Sequence, residues 1–97
     1  MAEALLAECL AAQRRVLGDE NPSTLQSMYN LADLYAKTGR VAEAAVLFEE
    51  ELRGQLGRGD LEEAGPSAQN LVRLLRRNGL PTAAVETLCA AHGCACR

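Results

Sequence analysis

Ninety-seven residues with a formal net charge of -3 make one domain at most, near the lower limit of what buries a self-sufficient core. The charge argues against nucleic-acid binding, which needs clustered Lys and Arg to meet phosphates. A hydrophobic share of 48% argues against disorder, and no run of eighteen apolar residues offers a membrane span.

Aromatics make up 3% of the chain, with Phe48 the single Phe, and Ile is absent. The core therefore falls to Leu, Ala and Val, and Ala and Leu are the strongest apolar helix formers. An all-α fold is expected. The N-terminus, Met1-Ala2-Glu3-Ala4-Leu5-Leu6, has no basic region ahead of an apolar stretch and is not a signal peptide. The expected setting is the cytoplasm, where Cys9, Cys89, Cys94 and Cys96 stay reduced.

In chain order, the first helix spans about 2–17, carries Leu5, Leu6 and Leu10 on one flank, and ends with Arg14-Arg15 ahead of Gly18. Cations near a helix C-terminus oppose the dipole, and Gly accepts the positive φ of the stop. Asn21-Pro22 opens a second helix over 22–38, closed by Lys37 and Gly39. A third covers 41–54, before Gly54, Gly57 and Gly59. Gly65-Pro66 is expected to open a fourth over 66–78, with Asp60 and Glu63 forming a short capped turn ahead of it. Pro81-Thr82 opens the fifth, 81–92. The short links make neighbours antiparallel, and the glycines and prolines break any heptad run long enough for a coiled coil.

The chain repeats itself. Asn30-Leu31-Ala32-Asp33-Leu34-Tyr35, ending at Gly39, returns as Asn70-Leu71-Val72-Arg73-Leu74-Leu75, ending at Gly79, an offset of forty residues. Ala44 and Phe48 map onto Ala84 and Leu88 at the same offset, while Ala2, Leu5, Leu6 and Leu10 match Ala44, Leu47, Phe48 and Leu52 at forty-two. Such periods mark stacked supersecondary units.

The segment Met28 to Ala44, followed by Leu47-Phe48, resembles a tetratricopeptide repeat. Arg14 to Leu25, with Gly18 and Asn21-Pro22 inside it, is similar to the junction in the longer repeats of kinesin light chains, about forty-two residues against the usual thirty-four or so. The resemblance covers nearly the whole chain and loosens from Gly54 to Gly65 and in the last few residues. It implies an αα-hairpin superhelix of five antiparallel helices. The helical repeat domain is 1–92, divided into a half-repeat 1–17 and repeats 22–56 and 60–92, before a short Cys-containing tail, 93–97. The family pattern expects a small residue where Glu51 stands. The opening half-repeat leaves part of its apolar flank uncovered, so the chain is expected to be a fragment of a longer array or to self-associate there.

In this family the first helices of the repeats line a concave surface. There the second helix presents Gln26, Tyr29, Asn30, Asp33 and Lys37 at spacings of three and four, and the fourth presents Gln69, Asn70, Arg73, Arg76 and Arg77. Asn offers a donor and an acceptor to an extended peptide backbone. The arginines favour an acidic segment through charge-assisted hydrogen bonds. The plain alternative is a solvated face, with Asp33 and Lys37 paired at i, i+4. The expected function is a protein-interaction scaffold with a peptide or protein partner, and no nucleic acid, membrane, cofactor or catalytic residue. The second reading is a metal- or redox-responsive helical protein using Cys89, His92, Cys94 and Cys96. Their spacing matches no standard zinc finger and contains no Cys-x-x-Cys.

Overall fold

Caps and glycine stops cut the chain into α1 (Ala2–Leu17), α2 (Pro22–Lys37), α3 (Val41–Gly57), α4 (Leu61–Arg77) and α5 (Ala83–His92), with no strand among the described residues. The computed structural model describes residues 2–92, and side chains from 4 to 91. The N-cap of α2 is Asn21, whose side chain accepts from the Ser23 amide at 2.9 Å, with Pro22 in the first turn. Three stops share one lock. Beyond Gly39, Gly59 and Gly79, all at positive φ, the amides of Arg40, Asp60 and Leu80 donate to the carbonyls of Tyr35, Gln55 and Leu75 at 2.8, 3.0 and 2.8 Å. This six-to-one bond returns the last free carbonyls to use.

Two expected boundaries move by three residues or more. Helix α3 runs past residue 54 because only Gly59 leaves the helical region, while Gly54 and Gly57 stay within it. Gly54 serves packing instead, since a Cβ there would overlap the Leu25 side chain and come within 3.2 Å of the Asp19 carbonyl. Helix α4 starts at Leu61, with Asp60 as the N-cap accepting from the Glu63 amide at 3.3 Å. Gly65-Pro66 therefore lies inside the helix rather than at its start. An interior proline sacrifices one ladder bond and typically costs about 3 kcal/mol. Burial of Ala64, Ser67 and Ala68 on either side of it offsets that cost. Helix α5 begins at Ala83, two residues after Pro81, with the Thr82 carbonyl accepting from Glu86 at 3.0 Å.

The helices pack mainly on their chain neighbours, α1 on α2, α2 on α3, α3 on α4 and, more lightly, α4 on α5. The result is a slab of 34 × 30 × 16 Å. Between α2 and α3, Ala32 and Ala44 are wholly buried, and the space beside them is filled by Leu25, Met28, Leu31, Phe48 and Leu52. The Tyr29 ring meets Phe48 edge-on at 5.8 Å, the arrangement that ring quadrupoles favour. Helix α1 buries Leu10, tucks Leu6 against the core and leaves Leu5 64% exposed. Of the three leucines on that flank, Leu5 alone is exposed. An Arg14–Glu50 pair ties α1 to α3.

Candidate functional site

The stripe foreseen on α2 is divided in use. Gln26 donates to the Asn30 side chain at 3.1 Å, and both are exposed. Asp33 and Lys37 pair at 2.8 Å. The hydrogen bond and charge of Asp33 raise the Lys37 pKa, so the ammonium stays charged. Tyr29 is half-buried against Phe48 and belongs as much to the core edge as to the surface.

On α4, Arg73 and Arg77 are exposed, and Asn70 and Gln69 are half-buried. Asn70, Arg73 and Arg77 stand at the repeat positions of Asn30, Asp33 and Lys37, forty residues on. Arg76 instead lies 3.7 Å from Glu86 and so is turned towards α5.

A pocket of about 330 Å³ opens where the N-terminal ends of α2 and α4 approach the C-terminal end of α3. Pro22, Gln26, Arg58, Asp60 and Glu63 ring it, with Glu51 and Gln55, both buried, beneath. Of these only Gln26 was expected from the sequence. Glu51 is 5% exposed. Its Oε2 accepts from the Ser67 hydroxyl at 3.1 Å, and its Oε1 has no well-formed hydrogen bond among the described residues. Burial raises the Glu51 pKa; the Ser67 hydroxyl and the nearby Gln55 amide oppose that rise, and the Glu63 charge adds to it.

The signal for this site was in the sequence. Glu51 stands where a small residue was expected, flanked by Leu47, Phe48 and Leu52, all of which are buried. A carboxylate at such a position must face either a partner or a cavity.

The Cys/His reading is only partly within view. Cys89 is buried in the core, as a small hydrophobe would be, and Cys9 is exposed on α1. The His92 side chain and residues 93–97, with Cys94 and Cys96, lie outside the described residues. No helix of the described residues is long and apolar enough to cross a membrane.

A family model described as tetratricopeptide repeat matches residues 1–56, from α1 through nearly all of α3. No curated protein and no solved structure matches the chain significantly.

Proposed function

The chain belongs to the tetratricopeptide repeat family, and on that premise we propose that it is a protein-interaction scaffold holding an extended, acidic segment of a partner along α2 and α4. The observation that carries this reading is the recurrence of exposed or half-exposed polar residues at equivalent positions of the two first helices. Asn30 and Lys37 on α2 are answered by Asn70 and Arg77 on α4, and Arg73 replaces Asp33.

The paired asparagines supply donors and acceptors for a peptide backbone. Arg73 and Arg77 supply planar forks for carboxylates. Lys37 is already occupied by Asp33, so α4 provides most of the attraction for acid. Tyr29 and Gln69 flank the asparagines, and Gln26 extends the row towards the pocket. The finer likeness to kinesin-light-chain repeats and a cytoplasmic setting belong to the same proposal. The forty-residue spacing of Gly39 and Gly79 supports the longer repeat.

Fluorescence anisotropy with a labelled Glu-rich peptide tests the reading. Reversal of Arg73 and Arg77 to Glu is expected to leave the helical circular dichroism intact and weaken binding at least tenfold. Binding by the native chain should also fall with added salt. An affinity untouched by the reversal rejects the groove assignment.

A further inference from the structure

Glu51 is a carboxylate buried on the inner side of α3, met there by the Ser67 hydroxyl of α4. It faces a pocket that otherwise carries Asp60 and Glu63 against a single cation, Arg58. Two of these groups have local duties: Asp60 caps α4, and Arg58 donates to the Glu20 carbonyl at 3.2 Å. Glu51 Oε1 has no well-formed hydrogen bond among the described residues, although the Gln55 amide lies near the carboxyl and the residue is 5% exposed. A buried acceptor left unmet is costly, and a donor arriving through the pocket removes that cost.

We propose that this pocket receives a lysine side chain of the partner segment, its ammonium placed between Glu51 and Gln55. The proposal rests on the groove reading and adds one residue to the partner. A metal ion is the wrong occupant, because no three Asp, Glu, His or Cys groups among the described residues converge as ligands. Arginine fits less well than lysine. The planar fork prefers both oxygens of a carboxylate, and Oε2 is already engaged by Ser67. An ammonium is a point charge with three donors on a flexible stem. Gln55, Gln26 and the Glu63 carboxylate can meet the donors that Glu51 does not.

Position adds direction. The pocket lies at the start of α4, while Arg73 and Arg77 lie ten and fourteen residues beyond Glu63 on the same helix. At the helical rise this is roughly 15–21 Å, which an extended chain covers in about five or six residues. The partner is therefore a segment with a lysine followed or preceded at that distance by acid, and the charge order fixes which way it runs.

The test is an NMR titration of the full chain with the blocked tripeptide Ala-Lys-Ala, alongside versions carrying acetyl-lysine, arginine or glutamate at the centre. The lysine peptide is expected to shift the Glu51, Gln55 and Glu63 signals and to lower the Glu51 pKa as it saturates. It should bind at least fivefold tighter than the other three. Glu51→Gln is expected to weaken it at least fivefold, and Glu63→Gln, on the exposed rim, supplies the same readout should the first variant fold poorly. Equal binding of lysine and acetyl-lysine, stronger binding of arginine, or full affinity in the variants overturns the proposal. The Arg73/Arg77 reversal leaves the lysine peptide unaffected, so this result and the fate of the acidic-segment reading are separable.

Discussion

The α2–α3 and α4–α5 hairpins share a lettering at a forty-residue offset, yet they bury it differently. Ala44 is wholly enclosed, whereas its counterpart Ala84 is exposed; Phe48 is buried, whereas Leu88 is half-buried. Helix α3 runs between α2 and α4, and α5 rests lightly on α4. The same small residue acts as a notch in one place and as surface in the other. Burial in a stacked array belongs to the neighbours as much as to the motif, because each unit buries its apolar face only against the next.

Four measurements would break or sharpen that contrast. The largest effect is expected from Leu52→Ala, at a wholly buried position, which should cost about 2–5 kcal/mol in urea denaturation. Leu88→Ala, at half-buried Leu88, should cost about 1 kcal/mol, since less surface leaves water there. Equal losses would erase the distinction between the hairpins.

Next, Ala44→Leu should overpack its notch and cost about 1–3 kcal/mol. Ala84→Leu, facing solvent, should stay within about 0.5 kcal/mol. A penalty at Ala84 matching that at Ala44 would show that α5 closes more tightly in solution.

Third comes the pH dependence set by Glu51. Its pKa is raised in the folded chain, chiefly by burial. The folded state therefore holds more protons than the unfolded one, and stability falls as pH rises from the ordinary carboxylate range through the raised value. Below that range both states are protonated and the penalty vanishes. Glu51→Gln should flatten this slope and gain on the order of 1 kcal/mol at neutral pH. A slope unchanged in the variant assigns it to other carboxylates.

The smallest effect concerns the Arg76–Glu86 pair between α4 and α5, both partners largely exposed. Arg76→Ala should cost no more than about 0.5 kcal/mol, less at high salt. Amide exchange in α5 should quicken only slightly. A collapse of α5 protection would mean the pair, rather than Val85 and Cys89, holds that helix.

The helical count, the hairpin order and the glycine stops were legible in the sequence because each depends on a few adjacent residues. Asn21-Pro22 and Gly39 act locally and act as expected. The stretch from Gly54 to Pro66 departs from expectation because its signals compete. Three glycines offer a stop, and only the backbone hydrogen bond from Asp60 to Gln55 selects Gly59. Pro66 looks like a start, but the Asp60 cap and the burial of Ala64 and Ala68 favour a helix that already includes it.

The candidate site divides along the same line. The polar stripe follows from helical spacing within one element. The pocket is assembled from α2, α3 and α4 together, a meeting that spacing along one helix does not express. Glu51 stands out in the sequence as a departure from the family pattern, but its hydrogen bond depends on the position of Ser67 on the facing helix.

The matching locks after Gly39 and Gly79 have an evolutionary consequence. Residues 40–79 begin and end on the same backbone geometry, so tandem duplication of that stretch would join itself at both seams without inventing a new turn. Every copy would extend the row of asparagine and arginine by one unit. The length of that row is then a matter of copy number.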